Sequence, residues 1–483
     1  MKKKLLSYLV IFGVAVSLVC VGNADFASAR TPKGEFRIAV TTLMGELLGP
    51  VSGTIAFKWF HTLLYDSLVG IEPPSTDLSH KTGIAYRWEH SPDYKHWTFY
   101  LRKGIKFHNG DEVTAEDVKY TLDRAVGPLG LTPNKVNIQK MIDYVEVADK
   151  YKVIIHTKQP DSLVPLMISE QIGTESMVVP KKYIEEKSDE YFRAHPIGTG
   201  PYKFKEHKPG AYMLFEAVDE HWALGVPKYK YVRISIVPET LARLGLLERG
   251  EADLIEVPRD WVREVKKRGL PIVEDPLEGT TILFFHEIWN KDYPISDIRV
   301  RNALCLGLDK QTILDTLFDG IGELAPYGYQ TKASIGYEPA DPAYPYDPEK
   351  AKALLKAAGY GPENPCRIPV YSFPMSAFPE AEKVIEAAKT YWDKVGFDIQ
   401  IIKEPDYGVW RKRWTSHKTK GGISPNQVGG RIWSIPANNN LLCRPGGSIT
   451  CRAAAKDFPE LEEAFQKALT EIDPEKRPAL AHR

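Results

Sequence analysis

Few side chains in this chain are placed to do chemistry, and most of those lie late in the sequence. Two segments combine cations with flat rings: Trp410 to Lys420 (WRKRWTSHKTK) and Arg431 to Trp433 (RIW). A guanidinium beside an indole can hold an anionic or planar ligand by charge and stacking. A solvated Arg and a structural Trp account for the same residues equally well. The first segment has no acid and carries Arg411, Lys412, Arg413, Lys418 and Lys420. It reads as a basic wall that steers anions, or as a solvated face.

The constellations that announce catalysis are missing. There is no HExxH, GxSxG or SxxK, no GxxxxGK phosphate loop, and no GxGxxG after a strand. His195 and His286, two of the 12 histidines, have no second His at ligand spacing. No catalytic set, no metal set and no cofactor is therefore expected.

The N-terminus indicates where such residues would work. Lys2, Lys3 and Lys4 precede an apolar run from Leu5 to Val21, and Ala27-Ser28-Ala29 is a small-x-small cleavage site. Residues 1–29 read as a signal peptide, giving a periplasmic protein. Cys20 follows the bulky Val19, which does not suit lipidation. Export leaves Cys305, Cys366, Cys443 and Cys451. Cys443 and Cys451 bracket the turn-rich Arg444 to Ser448, and a disulfide between them is expected in an oxidising compartment. A pair of metal thiolates would want a CxxC or a neighbouring His.

The elements that must position these residues are mixed. At 483 residues, two or more lobes are expected. Lys+Arg and Asp+Glu both number 63, which speaks against nucleic-acid binding, while 24 Tyr and 10 Trp offer rigid amphipathic binding surface. Gly34 to Val40 reads as a buried strand, Ser52 to Val69 has helical spacing, and Trp97 to Leu101 alternates. Thr114, with Asp117 three residues on, starts a helix. Helices are predicted at 238–249, 298–308, 348–358, 380–395 and 458–472, with strands between them. The class is α/β.

An ordered set of segments resembles the peptide/nickel-type extracellular solute-binding proteins (family 5). They are Tyr65 to Val69 (YDSLV), Trp97 to Val118 (WTFYLRKGIKFHNGDEVTAEDV) and Ile197 to Tyr202 (IGTGPY). Leu247 to Asp253, Asp297 to Lys310 and Tyr346 to Tyr360 follow in the same order. The resemblance implies a two-lobed periplasmic binding protein: lobe I over 30–285, with a subdomain inserted at about 51–193, and lobe II over 286–483. A hinge and an interlobe cleft are implied, with the C-terminal return to lobe I missing. It also implies a function: capturing a peptide or similar small solute for the permease of an ABC importer, as a monomer, without catalysis or nucleic acid. A nickel, haem or oligosaccharide carrier on the same fold is the alternative, and a secreted hydrolase or peptide chaperone is the rival from another class. Cleft contacts are expected from Thr42 and Met44 after the first strand, from Phe285 and His286 at the lobe crossing, and from Trp414, Arg431 and Trp433. Peptide binders of the family hold the peptide amine with an Asp shortly before the cysteine pair. Here that stretch is GGRIWSIP (429–436), without a carboxylate, so the expected ligand is acidic or neutral and not held by a free amine. The signature segments themselves read as scaffold: Gly198 and Gly200 serve a tight turn, since Pro201 cannot open an amide nest for phosphate.

Overall fold

The structure, a computed structural model, describes residues 9–10, 31–42, 58–72, 78–128, 135–170, 173–273, 280–324, 344–374, 378, 380–428, 442–443, 453–454, 459–471 and 476. The expected leader lies outside these but for Leu9–Val10. The chain divides into two compact units, Met1–Pro276 and Leu277–Arg483. Among the described residues no helix is long and apolar enough to cross a membrane.

In the first unit, the apolar run Ile38-Ala39-Val40 is buried because its strand, β1 (Glu35–Val40), has parallel neighbours on both sides. After helix α1 (Lys58–Leu64) comes an antiparallel sheet of β2 (Ala85–His90), β3 (His96–Leu101), β4 (Ile142–Asp149) and β5 (Lys152–Thr157), in the order β2-β3-β5-β4. It falls within the span expected for the inserted subdomain. Trp97, Phe99 and Leu101 of β3 point into the core while His96, Thr98 and Tyr100 face outward, as a period of two requires. Helix α2 (Ala115–Val126) follows the predicted start: Asp117 accepts from the Thr114 amide at 2.9 Å and from its hydroxyl at 2.9 Å.

The main sheet of this unit adds β6 (Tyr202–Lys208), β7 (Tyr212–Ala217), β8 (Tyr231–Ile236) and, after helix α3 (Thr240–Glu248), the short β9 (Leu254–Ile255). Its order is β9-β1-β8-β7-β6. Phe60, Leu64, Phe192, Tyr202 and Phe215 pack into one core with β1 and β8.

The second unit is built on the order β10-β13-β11-β12, with β10 (Thr280–Phe285), β11 (Cys366–Ser372), β12 (Phe397–Lys403) and β13 (Ile423–Val428). β10 pairs antiparallel with β13, and β11 is parallel to both of its neighbours. Residues 280–285, placed by the resemblance at the end of lobe I, are thus an edge strand of the second unit's sheet. Helices α4 (Ile298–Leu306), α5 (Pro348–Ala357) and α6 (Ala381–Val395) pack with that sheet around Trp392, whose indole N–H donates to the Leu304 carbonyl at 2.8 Å. Asp297 and Asp347 cap the first two by accepting amides, and Gly396 ends α6 in the left-handed region at φ 109°. Helix α7 (Tyr407–Thr415) joins β12 to β13.

Candidate functional site

Two clusters collect the polar and aromatic residues that the sequence brings to notice, one in each unit.

In the first unit the family-like motifs meet one another. Asp66, just past α1, accepts from the Thr199 hydroxyl at 2.7 Å, the Trp222 indole at 2.9 Å and His221 Nε2 at 3.2 Å. The Asp66 amide donates back to the Thr199 hydroxyl oxygen. His221 Nδ1 accepts from the amides of Ala223 and Leu224, so its hydrogen sits on Nε2, toward the carboxylate. Burial alone would raise the Asp66 carboxyl; His221, Thr199 and Trp222 together hold it below its ordinary value. His108, from the long signature segment, accepts at Nδ1 from the Gly198 amide (3.2 Å) and donates from Nε2 to the Gly200 carbonyl (2.9 Å). Burial drives its pKa down to about 4, outweighing that hydrogen bond to Gly200. Glu112 is held down at about 2 by hydrogen bonds from Lys150, Tyr151 and the Gly104 amide, which pins the Lys103-Gly104 turn.

Gly198 and Gly200 are glycines for lack of room. A Cβ on the first would meet the Leu64 carbonyl oxygen at 2.0 Å, and one on the second would meet the Leu63 carbonyl oxygen at 2.5 Å. The turn lies against the C-terminal end of α1 and takes a hydrogen bond from the Gly200 amide to the Leu64 carbonyl at 2.9 Å. These motifs form a scaffold.

The second unit gathers aromatic rings instead. β10 runs out at Phe285, opposite Ile423 at the start of β13, and the His286 amide continues the pairing to the Gly422 carbonyl at 3.0 Å. Asp406 caps α7 by accepting from the Val409 amide. Trp410 and Trp414, four residues apart, therefore share its inward face. They close on Tyr371 and Phe373 from the end of β11. Phe373 stacks on Trp410 at 5.4 Å and 15°, and His286 meets Trp410 and Trp414 edge-on at 5.2 and 6.1 Å. His286 Nε2 lies 2.8 Å from the Ser424 hydroxyl.

The electrostatics of this cluster are nearly closed. Glu404 accepts from Arg413 at 2.6 Å, and the same guanidinium lies over the Tyr371 ring at 5.5 Å. Glu287 accepts from the Thr419 hydroxyl, and the Thr419 carbonyl accepts from the Tyr371 hydroxyl at 3.1 Å. Arg411, Lys412, Lys418 and Lys420 point to solvent. Among the residues described around the aromatic set, each acid already has a partner. Ser424 and His286 are spaced like a nucleophile and its base, but their exposures are 2% and 1%, so no substrate carbonyl could reach the hydroxyl.

His286 and Trp414 thus come together, whereas Phe285, the preceding strand residue, packs against the core that holds Trp392. Thr42 is exposed in the first unit, where the amide of its neighbour Thr41 donates to Glu256 at 2.7 Å. Met44, Arg431, Trp433 and Cys451 lie outside the described residues, as does the side chain of Cys443. Among the described residues, Cys305 and Cys366 are free thiols, pushed up by burial to about 11 and about 12. No described group of three or more His, Cys, Asp or Glu is arranged to hold a metal ion. Sequence reasoning missed Trp410, Tyr371, Phe373 and Glu287. The i,i+4 spacing of Trp410 and Trp414 was the available signal, hidden within a run read for its charge.

Known proteins point the same way. Residues 80–442 match the model for bacterial extracellular solute-binding proteins, family 5 Middle. The chain is 27% identical over 374 residues to the dipeptide-binding protein of Escherichia coli, covering 72% of this chain and 68% of that one. It is 27% identical over 379 residues to heme-binding protein A of Haemophilus influenzae, covering 74% and 68%. HbpA2 of Haemophilus parasuis has a similar structure, with a TM-score of 0.75 at 23% identity over 93% of this chain and 90% of that one.

Proposed function

Because the chain belongs to the bacterial extracellular solute-binding proteins of family 5, we propose that it is the substrate-binding component of an ABC importer, capturing a peptide or similar small solute in the periplasm and delivering it unchanged to a membrane permease. The observation that carries this reading is the family match over residues 80–442. The rings around Trp410 and Trp414 support it, because rigid aromatic surface accepts varied side chains at little entropic cost. In this reading the protein works as a monomer and without catalysis. Its leader ends at Ala29, so sequencing the exported chain should give Arg30 first; a lipid on Cys20 would overturn this.

The stretch GGRIWSIP (429–436) carries no carboxylate, and Glu404 is already paired with Arg413, which supports a ligand that is not held through a free amine. An ammonium buried without a partner costs several kcal/mol. The solute is therefore acidic or neutral where it is held. Native mass spectrometry of freshly purified mature protein should show a co-purified peptide or small acid. Calorimetry with matched peptides, free and N-acetylated, should give equal affinities, and loss of binding on acetylation would sink the claim about the amine. Haem carriage is the second reading, favoured by the equal identity to heme-binding protein A. A haem absorption band in the purified protein would select it.

A further inference from the structure

The exposed face of the β2-β3-β5-β4 sheet carries a second cluster that the solute-binding reading does not use. His96 of β3 lies directly opposite His156 of β5. Their Nδ1 atoms approach to 2.8 Å, with ring planes at 71°. The other nitrogen of His156, Nε2, lies 2.8 Å from a carboxylate oxygen of Glu146 on β4. Tyr144, paired with His156 across β4 and β5, stacks on the His156 ring at 4.1 Å and 11°. That ring keeps only 13% side-chain exposure, whereas His96 is open to water.

A carboxylate accepts and cannot donate, so Nε2 of His156 carries the hydrogen and its Nδ1 presents a lone pair. His96 then supplies the single proton held between the two Nδ1 atoms. This is the arrangement in which metal-binding histidines are held: a carboxylate behind the far nitrogen fixes the tautomer and raises the basicity of the near one. We propose that His96 and His156 form a binding site for a late first-row divalent metal ion, with Cu2+ preferred over Ni2+ and Zn2+. Two nitrogens at 90° around an ion with bonds of about 2.0 Å are about 2.8 Å apart, the separation observed here. A tetrahedral zinc would need about 3.3 Å. Binding replaces the hydrogen bond between the rings: each ring turns its Nδ1 lone pair off the line between the two nitrogens and toward the metal, with a change of tautomer. The His96 proton leaves Nδ1 and solvent returns one to Nε2, so both rings stay neutral and each turns an Nδ1 lone pair to the metal. Water fills the remaining positions. Cu2+ comes first by the general order of affinities for nitrogen sites and by its tetragonal preference.

The test is a Cu2+ titration of the tag-free mature chain, followed by electron paramagnetic resonance and by competition with a chelator of known affinity. The parent should bind one Cu2+ with a two-nitrogen hyperfine pattern, more tightly than it binds Zn2+. His96→Ala, at an exposed strand position, should lose at least tenfold in affinity and one nitrogen from the pattern. His156→Gln should do the same, and Glu146→Gln should weaken binding about tenfold while keeping both nitrogens. A His96→Ala protein with the parent's affinity and spectrum would place the copper elsewhere and overturn the proposal. Tighter Zn2+ than Cu2+ binding at this pair would overturn the preference.

Discussion

The Asp66 cluster and the His286 cluster are both buried, and both are built from residues far apart in sequence, yet they differ in kind. Around Asp66 the described contacts are hydrogen bonds with a direction: a hydroxyl, an indole and an imidazole converge on one carboxylate, and backbone amides set the imidazole. Such a network admits one geometry, since any displacement leaves a buried donor or acceptor unmatched. Around His286 the contacts are mostly ring against ring, at 5.2 to 6.1 Å and with varied tilt. Rings fix a shape and a polarity but tolerate a change of neighbour. The first region can therefore be shared by relatives with different ligands, while the second can differ between them. Three of the family-like segments, holding Asp66, His108 and Thr199, meet in the first unit.

Mutation should expose the difference. The largest effect is expected at Asp66. Asp66→Ala strips the acceptor from three donors and should cost about 4 kcal/mol in urea denaturation. A loss below about 1 kcal/mol would mean that the network is not what holds the α1 end to the Thr199 turn.

Next comes pH. The folded His108 ring binds its proton only near pH 4, against 6.5 for an unperturbed one, so the unfolded chain holds more protons between those values. Stability present above pH 6.5 should decline as pH falls through that window, by roughly 3 kcal/mol in all at about 1.4 kcal/mol per unit. Denaturation curves of His108→Gln should be flatter over the same range. An unchanged slope would assign the pH dependence to other groups.

In the second unit a covalent constraint is expected to add to the rings. Reducing a bridge between Cys443 and Cys451 should lower stability by at most about 2–3 kcal/mol, since so short a loop removes little entropy from the unfolded chain. Finding both thiols alkylatable in oxidised protein would remove the bridge from the account. The smallest effect is expected at Ser424. Replacing it with Ala removes one neutral hydrogen bond from His286 and should cost about 1 kcal/mol. A loss as large as that of Asp66→Ala would erase the contrast between the clusters.

Much of the fold was legible in local sequence. The helices predicted at 348–358, 380–395 and 458–472 are found at Pro348–Ala357, Ala381–Val395 and Pro459–Thr470. Their caps and stops are local chemistry: an Asp before the first turn, a Pro at its start, a Gly after its end. Helix α7 escaped because its buried face is only two tryptophans in a run dominated by charge. The Phe284-Phe285-His286 run was expected only at the crossing between lobes, and its place in a sheet was not legible. Its partner, Ile423-Ser424, lies some 140 residues away, and pairing over that separation leaves no local mark.

Similar reasoning separates the candidate residues. Sequence alone determined the class, several helices and the scaffold character of the glycine-rich turn, since each follows from residue type and near spacing, and the resemblance of its ordered segments indicated the family. Tertiary structure decided which side chains are engaged. Glu404 and Asp406 look in sequence like acids available to a ligand, yet one holds Arg413 and the other caps α7. Trp410 and Trp414 look like flanks of a basic wall, yet they face inward while Arg411 and Lys412 meet water. His96 and His156 are 60 residues apart and carry no common motif, and only the register of β3 against β5 brings their nitrogens to 2.8 Å. A side chain's chemistry depends on what neutralises, caps or opposes it, and those partners come from distant parts of the chain.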